Sequence, residues 1–162
     1  MSWTQFQENI RRAFSEAAPQ YDFLTDLHKE IGRELVQKMA PLENVTRILD
    51  VGTGTGYLAK KAKYYFPSAE VVGLDLAAGM LDVAQASTEN LHFVEADAQT
   101  LPLRRETFDA VVSNLAYQWL DDLPKAFGQA HRVLTKGGKF YATVFGFFTL
   151  DEFFQSDRKS VV

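Results

Sequence analysis

Cysteine is absent from the 162 residues, which excludes disulfides and thiolate metal sites but does not by itself fix a compartment. Long apolar runs are absent as well. No stretch approaches the roughly 18 residues of a membrane helix, and the opening Met1-Ser2-Trp3-Thr4-Gln5-Phe6 lacks the apolar block of a signal peptide. Histidine is scarce: His28, His92 and His131 fall in separate predicted elements without acidic companions, so each is read as a surface or packing residue and no metal site is expected. Basic residues are outnumbered, 17 against 21 acidic, for a formal charge of -4. They form no long run, which argues against electrostatic capture of nucleic acid. The remaining expectation is a cytoplasmic protein with neither a membrane nor a nucleic-acid partner. With 46% hydrophobic and 23% charged residues, the chain has enough apolar material for one globular core.

Two helical segments come first. Phe6, Ile10, Phe14 and Ala17 recur at steps of three and four, predicting an amphipathic helix from Trp3 to about Ala18 that Pro19 ends or bends. Leu24, Leu27, Ile31, Leu35 and Met39 mark a second, from about Tyr21 to Met39, before Pro41. Residues 1–45 thus form an N-terminal helical segment. Residues 46–150 then alternate strand-like and helix-like runs, which predicts an α/β core with a doubly wound, mostly parallel sheet. The expected strands are Arg47–Val51, Ala69–Leu74, Leu91–Val94, Phe108–Ser113 and Lys139–Val144, the last extending toward Phe148. Between them fall helices Tyr57–Phe66, Ala78–Ala86 and Asp121–Leu134, the last stopped by Thr135-Lys136-Gly137-Gly138. Residues 151–162 read as a short polar tail. The apolar fifth strand would leave a free edge that invites pairing. The expectation is a piece of a larger sheet, or an edge covered by the tail or by a second copy in a homo-oligomer.

The sharpest feature is Leu49-Asp50-Val51-Gly52-Thr53-Gly54-Thr55-Gly56, between the first strand and the first core helix. Glycines there permit a tight turn and close approach of a ligand to the backbone and the helix N-terminus. The second strand ends in Asp75, where an acid can accept both hydroxyls of a ribose. Asp50 otherwise reads as a solvated turn acid, and Asp75 as a helix cap. No Gly-Lys-Ser/Thr closes the loop, so a triphosphate site fits poorly. A nicotinamide dinucleotide stays possible, but the alternating glycines depart from its usual spacing. Asp50 would also repel a diphosphate, and suits a ligand bearing an amine.

These motifs, with Val72-Gly73-Leu74-Asp75-Leu76-Ala77-Ala78-Gly79-Met80, Glu95-Ala96-Asp97-Ala98 and Phe108-Asp109-Ala110-Val111-Val112-Ser113-Asn114, strongly resemble the class I S-adenosylmethionine-dependent methyltransferases. The resemblance implies a Rossmann-like sheet of seven strands, of which this chain supplies about five, so the last two strands are expected to be missing. It implies S-adenosylmethionine as cofactor and S-adenosylhomocysteine as product. It places Asp50 and Gly52 beside the methionine moiety, with Gly54 and Gly56 completing the loop. Asp75 falls on the ribose, Leu76 and Met80 beside the adenine, Asp97 and Ala98 at the adenine edge, and Asn114 beneath the methyl-transfer region. Thr53 departs from the commoner cysteine or small residue without blocking the site.

Arg11-Arg12-Ala13-Phe14-Ser15, Tyr21-Asp22, Ser113-Asn114-Leu115-Ala116-Tyr117-Gln118-Trp119 and Ala130-His131-Arg132-Val133-Leu134 extend the resemblance to the malonyl-acyl-carrier-protein methyltransferases of biotin synthesis. Such an acceptor is a carboxylate, already ionised at neutral pH, so orientation matters more than a general base. Tyr21, Asn114, Gln118 and Trp119 are the substrate-positioning candidates, with packing as the alternative role for Tyr21 and Trp119. Arg11 and Arg12 read as a solvated helix face, or as contacts to an acidic carrier or substrate carboxylate. The expected partner is acyl carrier protein or a small-molecule acceptor. Another small acid, a quinone precursor, or a truncated cofactor-binding module without transfer activity are the competing readings.

Overall fold

The computed structural model describes residues 3–146. In chain order they form α1 (Trp3–Leu24), α2 (Asp26–Met39), β1 (Arg47–Val51), α3 (Tyr57–Tyr65), β2 (Glu70–Asp75), α4 (Ala78–Ala86), β3 (His92–Glu95), β4 (Phe108–Asn114), a 3-10 turn (Tyr117–Trp119), α5 (Leu123–Val133) and β5 (Leu134–Thr143). The strands make one parallel sheet in the order β3-β2-β1-β4-β5. The expected doubly wound architecture is therefore present. Strand order reverses between β1 and β4, and ligands of such sheets gather outside the carboxyl ends of the strands at that point.

Both faces of the sheet are covered, which is why its strands read as nearly continuous apolar runs. The pleat sends Leu49, Val51, Leu74 and Val111 to one face, against Ala126, Ala130 and Val133 of α5. Ile48, Val71, Ala110 and Val112 go to the other, against Leu35, Val36 and Met39 of α2 and Leu58, Ala59 and Ala62 of α3. Fully burying a Leu or Ile contributes about 1.5–3 kcal/mol, and Ile48 and Leu49 are both wholly buried. The α5 helix begins where the Asp122 carboxylate accepts the Lys125 amide at 2.9 Å. It ends with His131 and Arg132, whose charge suits the helix terminus.

Three boundaries differ from the sequence expectation by more than two residues. Helix α1 continues through Pro19 to Leu24. Proline deprives the Ser15 carbonyl of its usual donor four residues on, and that carbonyl packs over Gly79, where a Cβ would approach to 2.7 Å. The second helix starts at Asp26 rather than Tyr21, after the Thr25 hydroxyl bonds the Tyr21 carbonyl at 2.8 Å. The residues expected to form a turn, Thr135 to Gly138, belong to β5, with Phe108 opposite Leu134 and Ala110 opposite Lys139. A bulge with Gly137 at φ +84° absorbs the extra residues. Phe147, Phe148 and the expected tail 151–162 lie outside the described residues.

Candidate functional site

The loop after β1 uses its three glycines for three different reasons. Gly52 has φ +73°, and a Cβ there would stand 2.2 Å from the Ala116 Cβ, so glycine lets the segment after β4 close over the loop. Its amide and that of Thr53 both donate to the Leu74 carbonyl, at 2.7 and 2.9 Å, joining the ends of β1 and β2. Gly54, at φ +55°, has nothing within 4 Å of an added Cβ and leaves an open cradle. Gly56, at φ +81°, caps α3 and packs on Ala84 and Phe93.

Two acids lie beneath and beside this loop. Asp50 is wholly buried, not a solvated turn acid; its Oδ2 accepts the Thr53 hydroxyl at 2.7 Å. Its Oδ1 has no hydrogen-bond partner among the described residues. Burial pushes its pKa up from 3.8 to about 7, against the pull of Thr53 and the Ala59 amide, and the nearby Asp75 adds to the rise. Asp75 is held by amides: Gly54 donates to Oδ2 at 2.8 Å and Ala77 to Oδ1 at 2.9 Å. Burial nevertheless raises its pKa. Asp75 therefore braces the turn that leads into α4 and faces the loop at once.

A cavity of about 350 Å³ opens here, within the range of small-molecule sites. On the β2–β3 side it is lined by Asp75, Leu76, Met80, Asp97 and Ala98, with Gly52 and Gly54 in its wall. Asp97 is fixed by the Gln99 amide, which donates to its Oδ1 at 2.8 Å. On the β4–β5 side the lining includes Tyr21, Asn114, Gln118 and Trp119. All four substrate-positioning candidates and nearly all the cofactor candidates thus meet around one cavity. Asp50 and Gly56 do not line it: the first lies beneath the loop, the second behind it.

The β4–β5 side is built by cross-links between elements. Asn114 donates from Nδ2 to the His28 carbonyl at 2.9 Å and accepts the Thr143 hydroxyl at Oδ1, 2.6 Å away. Gln118 Oε1 accepts the Phe145 amide at 3.1 Å. Between them Leu115 adopts φ +56°, unusual for a branched residue. Its amide is held by the Thr143 carbonyl at 3.0 Å, and the reversal carries Ala116 to Trp119 back over the cavity. Strain of this kind costs about 1–3 kcal/mol and concentrates at functional sites.

Helix α1 contributes Ile10, Arg11 and Phe14 to the lining, which the sequence suggested only as an amphipathic stripe. Phe14 meets Trp119 edge to face, with ring centroids 5.7 Å apart, so the two bridge the cavity. Arg11 pairs with Glu95 at 3.2 Å and Glu8 at 3.5 Å, while Arg12 reaches Asn9. Thr55 donates to Asp22 at 2.6 Å, tying the glycine loop to α1. Sequence reasoning also missed His28, Tyr117 and Phe145, which all line the cavity. The Tyr117 hydroxyl is buried without a partner, and burial raises its pKa to about 12. The residues present fit S-adenosylmethionine: an open glycine cradle adjoins one buried and one half-buried carboxylate, neither bonded to a basic side chain among the described residues. That imbalance suits a cationic ligand and resists a diphosphate.

Comparison with known proteins agrees with this geometry. The family described as "Methyltransferase domain" matches residues 49–142. A malonyl-[acyl-carrier protein] O-methyltransferase of Hahella chejuensis is 38% identical over 138 residues, covering 82% of this chain and 48% of that protein. The Geobacter sulfurreducens protein of the same name is 39% identical over 161 residues, covering 96% of this chain and 60% of its own. The chain thus spans about half the length of the curated relatives it matches. Among solved structures, a Haloferax volcanii complex of the Trm112 methyltransferase activator with a methyltransferase superposes with a TM-score of 0.73 at 27% identity, covering 81% of this chain and 59% of the other.

Proposed function

The chain belongs to the class I S-adenosylmethionine-dependent methyltransferases, and from that premise we propose that it methylates the free carboxylate of a malonyl thioester carried on acyl carrier protein. One observation carries the choice of acceptor. Similarity to a malonyl-acyl-carrier-protein methyltransferase extends over 96% of the chain, beyond the methyltransferase core at 49–142 and into α1 and α2, which line the acceptor side.

In this reading Asp75 keeps lone pairs for the ribose hydroxyls beyond its two amide bonds. Leu76 and Met80 flank the adenine, with Asp97 and Ala98 at its edge. Asp50, Gly52, Gly54 and Gly56 form the support for the methionine part. Bound S-adenosylmethionine would supply an electrophilic methyl group, whose transfer from sulfur to a carboxylate oxygen requires no proton to be moved. The protein's work is orientation and exclusion of water. Tyr21, Asn114, Gln118 and Trp119 shape the acceptor side, with Phe14 packed on Trp119 at its wall. No helix among the described residues is long and apolar enough to cross a membrane; a cytoplasmic setting, and a homo-oligomer formed along β5, remain part of the proposal.

The test is incubation of the chain with S-adenosylmethionine and malonyl-acyl carrier protein, followed by mass spectrometry of the acyl group. The methyl ester is expected. Methylation of a different small acid or a quinone precursor would replace the acceptor. Cofactor binding without transfer to any acceptor would mark a binding module.

A further inference from the structure

On the acceptor side of the cavity, the two amides singled out in the sequence each carry part of the frame, Gln118 through its oxygen alone. Asn114 is used at both Nδ2 and Oδ1, and Gln118 at Oε1. Arg11, the cation that lines the main cavity, is paired with Glu95 at the end of β3, on the opposite side. His28 is placed differently. It lines both this cavity and the smaller one beside the glycine loop. Its ring stands edge-on to Tyr21 and to Phe145, each with centroids 6.1 Å away. Its main chain is anchored to the end of β4 by Asn114. The ring is thus packed on two sides, while neither imidazole nitrogen has a hydrogen-bond partner among the described residues.

We propose that His28 is the acceptor-binding residue of the site, its imidazole N–H donating a hydrogen bond to the acceptor carboxylate oxygen that does not attack. This rests on the carboxylate-methylating reading above. Partial burial lowers the histidine's pKa, so in the free site at neutral pH the neutral ring, with one N–H to donate, is the main form. A neutral donor suits this reaction. It orients the carboxylate through one oxygen yet leaves the negative charge available on the other, whereas a full cation would hold that charge in the ground state and raise the barrier to attack. The Tyr21 and Phe145 rings flank the imidazole and limit its rotation.

The experiment compares His28→Phe, which keeps a ring against Tyr21 and Phe145 but removes the donor, with His28→Gln, which keeps a donor. For malonyl-pantetheine, His28→Phe is expected to raise KM by about tenfold to a hundredfold, the range for a hydrogen bond to a charged group. His28→Gln should recover most of the loss, and S-adenosylhomocysteine affinity should stay within about twofold in both. In parallel, the His28 ring resonance of the isotope-labelled chain, saturated with S-adenosylhomocysteine, should shift when malonyl-pantetheine is added and not when its methyl ester is added. An unchanged KM in His28→Phe, or an unmoved ring at saturating acid, overturns the assignment even if the chain methylates malonyl thioesters. If malonyl thioesters are not bound at all, a panel of other short carboxylates separates the two ideas: a ring shift with any of them upholds His28 and removes the malonyl acceptor, and no shift with any overturns His28 too.

Discussion

Replacing Gly52 with alanine separates two costs that the structure assigns to one position. The first is conformational: at φ +73° a Cβ meets the backbone of its own residue, at about 1–2 kcal/mol. The second is steric. The new Cβ would lie 2.2 Å from the Ala116 Cβ, a neighbour without a flexible end to move aside, and overpacking of this kind costs about 1–3 kcal/mol. The combined loss is then about 2–5 kcal/mol, a fall in Tm of roughly 5–15 °C for a chain of this size. Gly54→Ala is the internal control. It has a similar positive φ but open space around the added methyl, so only the conformational cost, about 1–2 kcal/mol, applies. Because that methyl enters the proposed cofactor cradle, Gly54→Ala should still weaken S-adenosylmethionine binding. Thermal and urea unfolding of the two variants are the assay. Equal destabilisation by both would refute the close passage of Ala116 over the loop, and with it the way the segment after β4 walls the cavity.

Asp50→Asn should flatten the pH dependence of stability between about pH 4 and 7. An acid whose folded pKa is raised from 3.8 to about 7 makes the native state bind more protons than the unfolded chain there, so stability falls as pH rises, by up to about 4 kcal/mol; a variant with an unchanged slope would exclude Asp50 as the source. Asp109 has the opposite sign. Desolvation raises its pKa, but hydrogen bonds from the Thr46 amide and hydroxyl, the Arg47 amide and the Thr135 hydroxyl outweigh this and lower it. Its stabilisation is present at neutral pH and lost as pH falls through the depressed folded value, so Asp109→Asn should lower Tm at pH 7 and converge with the parent chain in acid. Tyr117→Phe removes a buried hydroxyl without a partner among the described residues, so its Tm should stay level or rise; a loss of 1 kcal/mol or more would reveal a partner for that hydroxyl.

Most of the sheet was legible because its signals are local. The predicted bounds of β1 and α4 coincide with the observed ones, since a glycine turn closes the first and a strand-to-helix change of period opens the second. The convergence of Gly54, Asp75, Leu76, Asp97 and Ala98 on one cavity was legible too, because they lie at or just after strand ends that a parallel sheet brings together, with Met80 in the helix that comes next. What stayed hidden depends on tertiary contact. Pro19 reads as a helix end or bend, yet α1 continues to Leu24, with the freed Ser15 carbonyl packed over Gly79. Gly137-Gly138 reads as a turn, but pairing with β4 turns it into a bulge. His28 reads as one more residue on a helix surface. Only the crossing of α2 over the end of β4, and Phe145 arriving from beyond β5, make it part of the cavity.

The central claim is that the cavity at the β1–β4 switch point is an S-adenosylmethionine site built around Asp75. Calorimetric titration of the chain with S-adenosylmethionine, beside NADH and the Asp75→Ala variant, tests it most directly. Saturable binding of S-adenosylmethionine alone at one site is expected, weakened at least about tenfold when the carboxylate is removed, through the loss of charge-assisted hydrogen bonds to the ribose. A folded chain that takes up no S-adenosylmethionine, or that binds it equally well without Asp75, would contradict it.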